Sequence, residues 1–242
     1  MRDQLRFSNI IVLGNWGVGK TQFIAHLSSM LGQEAGIRRT NVISDRHYFE
    51  EAVRADVQGR RPESDGSIRG AHSIMVKDGP RGQMVFRALD GLIFNEAHRQ
   101  MLASLRQTEP GVVCLVEYAT GPNAKFEEGE LLDQSAHFVA EQLITSGALI
   151  NTLVVELRAP FDLRERRNAV RADRVDEAAF QLYGQPGGNM TDEDAQRLGG
   201  HFLGIDNHIH GLESLAMTVF GEHIQTRLLH EGEASTLQRG RR

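Results

Sequence analysis

Asn9-Ile10-Ile11-Val12-Leu13, followed by Gly14-Asn15-Trp16-Gly17-Val18-Gly19-Lys20-Thr21, is the stretch that decides the fold. The first part is apolar after Asn9, rich in branched side chains, and stops at a glycine, which predicts a short buried strand. The second part matches G-x-x-x-x-G-K-[ST] at every fixed position. From Lys20 to Leu31 the apolar residues Phe23, Ile24, Leu27, Met30 and Leu31 share one helical face, and Gly32 supplies a stop. Strand, glycine-rich loop and helix in that order form the setting in which this pattern cradles a phosphate chain. Glycines let the backbone close around anionic oxygens, and the helix N-terminus adds favourable partial charge. The Lys20 ammonium suits the β- and γ-phosphates, and the Thr21 hydroxyl suits Mg²⁺. The expected binding set is Gly14, Asn15, Trp16, Gly17, Val18, Gly19, Lys20 and Thr21, with Trp16 a packing residue or a wall of the site.

Composition narrows the classes around this motif. The chain has 242 residues, 40% of them hydrophobic and 24% charged, which excludes a disordered chain, a collagen-like repeat or a coiled coil. Lys plus Arg number 27 against 32 Asp plus Glu, so the net charge of −5 argues against a nucleic-acid-coating protein. Cys114 is the single cysteine, so neither an intrachain disulfide nor a cysteine-built zinc site can form. No run approaches the roughly 18 apolar residues of a membrane span. The expectation is a cytoplasmic protein with a small-molecule partner, without nucleic acid or membrane, and with a homodimer left open.

Outward from the loop, strands and helices alternate. Strands are expected at Asn41–Ser44, Val112–Glu117, Thr152–Leu157 and Phe202–Ile205. Helices are expected from Tyr48 to about Val57, at Asn95–Arg106 and Glu127–Ser146, after Pro160, and at Leu212–Leu229. His72–Lys77 and Gln83–Arg87 flank a turn and read as a hairpin inside an otherwise polar stretch. The alternation predicts a three-layer α/β domain around a parallel sheet of about five strands. One domain over residues 1–230 would carry an insertion at about 59–90 and a lid at about 164–190, with 231–242 a flexible tail.

The remaining motifs choose among phosphate-loop classes. Asp90-Gly91 lacks the spacing of a switch GTPase, no N-K-x-D base reader exists, and no L-S-G-G-Q-like segment is present. Pro160-Phe161-Asp162-Leu163-Arg164-Glu165-Arg166-Arg167-Asn168-Ala169-Val170-Arg171 follows a strand with a proline turn and an arginine-rich helix. Arg167 and Arg171 lie four apart and share a helical face, and Arg174 follows. Gly204-Ile205-Asp206-Asn207 leads through His208-Ile209-His210 to Gly211-Leu212-Glu213-Ser214-Leu215. With the phosphate loop, these stretches resemble the nucleoside/nucleotide kinase-like family, the adenylate and thymidylate kinase-like small-molecule kinases. The resemblance runs from Asn9 to Ile224, with the His208–His210 loop altered.

That resemblance implies a Mg²⁺-dependent kinase that passes the γ-phosphoryl group of ATP to a small acceptor, a nucleoside or nucleotide first. It places Arg167, Arg171 and Arg174 as arginines leading into a lid. Asp45 closes the second strand, where the family has an acid that holds the acceptor hydroxyl or acts as base. Glu117 closes the Val112 strand, where the family has a metal-associated or catalytic acid, so Thr21 and Glu117 are the expected metal contacts. Strand ends are where ligands collect in open α/β sheets, which supports both acids independently. Positioned guanidinium groups also stabilise the charge of phosphoryl transfer, which supports the arginine cluster. Two rival readings are a phosphate-loop ATPase or GTPase that drives a partner protein, and a non-catalytic nucleotide sensor. His72, Lys77, Arg81, Arg87, Asp90, Asn95 and His98 lie in or near the insertion, the expected acceptor region.

Overall fold

In the computed structural model, the described residues are 7–33, 37–78, 83–105, 109, 111–121, 135–170, 180–181, 185–207 and 211–225. The chain forms β1 (Asn9–Gly14), α1 (Lys20–Leu31), β2 (Arg39–Ser44), α2 (Asp45–Asp56), β3 (Ile68–Arg69), β4 (Ser73–Asp78) and β5 (Gln83–Ala88). It continues through α3 (Leu92–Ser104), β6 (Val112–Ala119), α4 (Ala136–Ser146), β7 (Thr152–Arg158), α5 (Phe161–Ala169), α6 (Asp192–Leu198), β8 (Phe202–Asp206) and α7 (Leu212–Val219).

The main sheet has five strands in the order β2-β6-β1-β7-β8, and every neighbouring pair is parallel. A parallel sheet needs crossovers on its faces, so its inner strands are apolar on both sides. β1 obeys this, with every residue from Asn9 to Gly14 buried. Ile10, Val12, Leu115 and Val155 face a cluster with Phe23 and Leu27 of α1 and Leu215 and Val219 of α7. Ile11, Leu13, Val116 and Val154 face the opposite way, toward Met101 of α3, Val139 and Leu143 of α4 and Leu198 of α6. The expected three-layer α/β architecture is therefore present. Strand order reverses at β1, which places the phosphate-loop sequence at the crevice where such sheets bind ligands.

The insertion is a separate antiparallel sheet in the order β3-β4-β5. The expected hairpin is there, with Asp78 opposite Gln83, and its turn at 79–82 lies outside the described residues. Ile68-Arg69 adds a third strand against Met75 and Ile74, which the polar sequence around it gave no reason to expect. This sheet, α2 and α3 share a small core built on Ala52, Val53, Val57, Ile93 and Ala97. Phe49 and Phe94 stack there with centroids 4.4 Å apart.

Several boundaries move for local reasons. α2 starts at Asp45 rather than Tyr48, because the Ser44 hydroxyl accepts the Arg46 N–H and caps it. α3 starts at Leu92, whose N–H donates to Asp90 Oδ1 at 2.9 Å. α6 was not expected; the Thr191 hydroxyl accepts the Asp194 N–H, a Thr-x-x-Asp start readable in hindsight. The last helix gives way to a π-helical turn at Phe220–Gln225. The start of the expected Glu127 helix, residues 171–179 and 182–184 of the expected lid, and the tail lie outside the described residues. Among the described residues no helix is long and apolar enough to cross a membrane.

Candidate functional site

The loop between β1 and α1 turns through two left-handed glycines, Gly17 at φ 80° and Gly19 at φ 99°. Side chains are excluded there twice over, by backbone strain and by space. A Cβ on Gly17 would lie 2.7 Å from the Arg164 carbonyl oxygen, and one on Gly19 would lie 2.8 Å from Leu212 Cδ1. Lys20 is only 6% exposed. Its ammonium donates to Gly14 O at 2.8 Å and Asn15 O at 3.2 Å, so it rests across the mouth of its own loop. The Asn15 amide ties the loop to two distant segments, donating to Thr120 O at 2.9 Å and Gly187 O at 3.1 Å.

Both expected acids come to this edge. Parallel pairing sets Val12 beside Glu117 and Ser44 beside Glu117, so β6 carries the acid between the other two strands. The Thr21 hydroxyl lies 2.9 Å and 3.1 Å from the two Glu117 carboxylate oxygens. Asp45 Oδ2 accepts the Ala119 N–H at 2.6 Å and Oδ1 accepts the Arg46 N–H at 2.6 Å. Its carboxyl is turned inward although the residue keeps some surface open. Burial pushes the Asp45 pKa above the usual carboxylate range, against the lowering pull of the Ala119 N–H and the Lys20 charge. Lys20, Thr21, Glu117 and Asp45 thus share one end of the sheet.

The hard oxygens of Thr21 and Glu117 fit Mg²⁺, which takes one or two carboxylates and fills its remaining positions with phosphate and water. Among the described residues no group of three or more His, Cys, Asp or Glu could hold a metal alone.

The arginines separate. Arg171 and Arg174 lie outside the described residues. Arg167 is on α5, and its guanidinium donates to Val18 O and Asn207 O, both at 3.3 Å. It touches the back of the phosphate loop rather than its mouth. Arg164 is 1% exposed, donates to Trp16 O and Ala159 O at 3.2 Å, and lies over the Phe161 ring. Burial lowers both guanidinium pKa values.

Sequence reasoning missed three residues at this edge. Asn207, 1% exposed, donates its amide to Val18 O at 2.6 Å. Its Oδ1 and the Thr120 hydroxyl are buried side-chain atoms without a hydrogen-bond partner among the described residues, one on each flank of the loop. Glu156, fully buried, accepts the Met190 N–H at 2.7 Å and the Arg158 guanidinium at 2.7 Å, and burial raises its pKa. Only Asn207 carried a signal, as the residue closing Ile205-Asp206-Asn207. In the insertion, His72 pairs with Asp90 at 2.7 Å, and His98 is buried against the Tyr118 hydroxyl at 2.9 Å.

No family model matches the chain, and no curated relative does. Among solved structures, an unliganded sugar kinase from Janibacter sp. HTCC2649 is 8% identical, with 89% of this chain and 93% of that one covered at a TM-score of 0.48. A shikimate kinase from Acinetobacter baumannii in complex with shikimate is 15% identical, covering 88% and 91% at 0.44. A gluconokinase from Sinorhizobium meliloti 1021 is 11% identical, covering 97% and 98% at 0.45. At these identities and scores the likeness bears on neither activity nor acceptor.

Proposed function

We propose that this protein is a Mg²⁺-dependent kinase that transfers the γ-phosphoryl group of ATP to a hydroxyl of a small molecule, with a nucleoside or nucleotide the first acceptors to try. One observation carries the reading: Thr21 and Glu117 juxtapose hard oxygens beside the Lys20 loop, and the buried acid Asp45 stands at the same edge.

In this reading the loop holds the triphosphate with backbone N–H groups and the helix N-terminus. Lys20 leaves the Gly14 and Asn15 carbonyls for the β- and γ-phosphates. Mg²⁺ would be held by Thr21 and Glu117 and would neutralise triphosphate charge when bound. The acceptor oxygen forms a bond to the γ-phosphorus as the bond to the bridging oxygen breaks, and ADP leaves. Asp45 takes the acceptor proton. A carboxylate made more basic by burial is better suited to that task than an ordinary surface aspartate. Arg171 and Arg174 remain proposed contacts to the moving phosphoryl group, by the arginine pattern alone.

The test is transfer from γ-labelled ATP with Mg²⁺ to pooled nucleosides, nucleotides and metabolites, with Lys20→Ala as the blank. Label moving onto a small molecule, and lost in the blank by a factor on the order of a hundred or more, is the expected result. Label released only as free phosphate replaces the kinase with a hydrolase that drives a partner. Binding without any turnover replaces it with a sensor.

A further inference from the structure

We infer that Arg164, Arg167 and Asn207 are positioning residues that aim the N–H groups of the phosphate loop from behind. The inference rests on the reading of this loop as a triphosphate site, and it assigns Arg167 a task other than contact with the moving phosphoryl group.

The argument starts from the peptide unit. No peptide bond in the described chain is cis. In a trans peptide the C=O and the N–H point in opposite directions. The Trp16 carbonyl belongs to the peptide whose N–H is that of Gly17. Arg164 holds that carbonyl at 3.2 Å from the side of α5. The Val18 carbonyl belongs to the peptide whose N–H is that of Gly19. Two donors hold it, Asn207 Nδ2 at 2.6 Å and Arg167 Nη1 at 3.3 Å. Pulling these two carbonyls back turns the Gly17 and Gly19 N–H groups the other way, into the turn. On that inner side, the Gly14 and Asn15 carbonyls meet the Lys20 ammonium. The loop therefore has carbonyls gripped behind at Trp16 and Val18, and the Lys20 cation in front.

Packing makes the grip stiff. The Arg164 backbone fills the space where a Gly17 side chain would stand, and Leu212 and Asn207 fill the space at Gly19. Asn207 is itself fixed, since its N–H donates to Arg158 O at 2.7 Å and its carbonyl accepts Arg167 Nη2. Two guanidinium groups behind the loop also place positive charge in a partly desolvated setting, where an anion in front feels it strongly. A loop whose N–H groups are already aimed binds phosphate without the cost of ordering them.

The experiment separates this role from two others that an arginine here can have. Isothermal titration would measure inorganic tripolyphosphate and, separately, adenosine binding to the full chain and to Arg167→Met, Arg167→Lys and Arg164→Lys. Arg167 is only partly buried, so Arg167→Met keeps the test alive if changes at Arg164 fail to fold. The expected result is tripolyphosphate binding weakened about tenfold in Arg167→Met, partly restored in Arg167→Lys. Adenosine affinity stays unchanged, and kcat at saturating ATP falls by less than the tripolyphosphate affinity does. Lost kcat with intact tripolyphosphate binding makes Arg167 a contact to the moving phosphoryl and overturns the inference. Lost adenosine affinity with intact tripolyphosphate binding makes it a base contact, and overturns it equally. If the native chain binds tripolyphosphate but transfers no phosphoryl group, the kinase falls and the buttress is still decided by the same titrations. If Lys20→Ala and the native chain both fail to bind it, both readings fall.

Discussion

α2 joins two regions that are built on opposite plans. At its N-terminus, Asp45 bonds to Ala119, and around it Gly14 pairs with Thr120, Thr21 with Glu117 and Asn15 with Gly187. Every one of those partners is distant in sequence. At its C-terminus, one Asp56 carboxylate takes the N–H groups of Ala71 and His72 and the Ser73 hydroxyl. Asp90 caps Leu92 and pairs with His72, so the insertion is tied by near neighbours. The phosphate-loop edge depends on the whole main sheet. The insertion packs instead on α2 and α3, around a small core whose buried residues those two helices supply. A region tied locally can change without disturbing the other, which would suit the insertion to the role of acceptor region expected from the sequence.

The largest expected effect that would break this contrast lies at Asp45. Asp45→Asn should lower kcat about a hundredfold, the scale of general-base catalysis. The native rate should fall with acid at a pH above the usual carboxylate range, because burial raises the Asp45 pKa. The variant should lose that acid limb. A pH–rate profile with the limb intact would reduce Asp45 to a tie between α2 and β6.

Two core truncations sharpen the comparison. Leu115→Ala, at a fully buried position of β6, should cost about 3 kcal/mol in urea unfolding and weaken both substrates. Ile93→Ala, in the insertion core, should cost about 2 kcal/mol and raise the acceptor KM while leaving tripolyphosphate affinity alone. Equal loss of tripolyphosphate binding in both variants would mean that the two regions act as one.

The smallest expected effect concerns Glu156. Burial raises its native pKa, so the native state keeps a proton that the unfolded chain has already released. Stability should therefore decline as pH rises from the ordinary glutamate range through the native pKa, and level off above it. Glu156→Gln retains an acceptor for the Met190 N–H and should remove that decline. A pH series of urea midpoints reads the difference.

The main sheet was legible because its strands obey the rule that makes them buried. Ile10–Leu13 and Leu153–Val155 are unbroken apolar runs, and a parallel sheet covered on both faces produces such runs. The loop, Lys20 and Thr21 were legible because phosphate chemistry fixes residue type and spacing together. Glu117 and Asp45 were legible as acids at strand ends, where the site had to be. Arg164 and Asn207 stand in stretches the sequence singles out, but their contacts were not legible, since a carbonyl held from behind leaves no pattern in the local sequence. Their partners Trp16 and Val18 are far away along the chain. Ile68-Arg69 was missed because a two-residue strand has no period to detect.

The place of β1 at the centre of the sheet has a consequence for the protein's synthesis. The strand that leads into the phosphate loop is made before both of its sheet neighbours, β6 and β7, with Asn9 paired to both Cys114 and Thr152. Until Ala169 has been made, the loop has not had both β6 and β7 beside its strand and α5 behind it. The phosphate ligand proposed for the loop would not stabilise the growing chain before that point, because a ligand stabilises only the state it binds. The Ile-Ile-Val-Leu segment must wait for β6 and β7 to be made before it is covered, and an apolar segment left waiting is what chaperones hold.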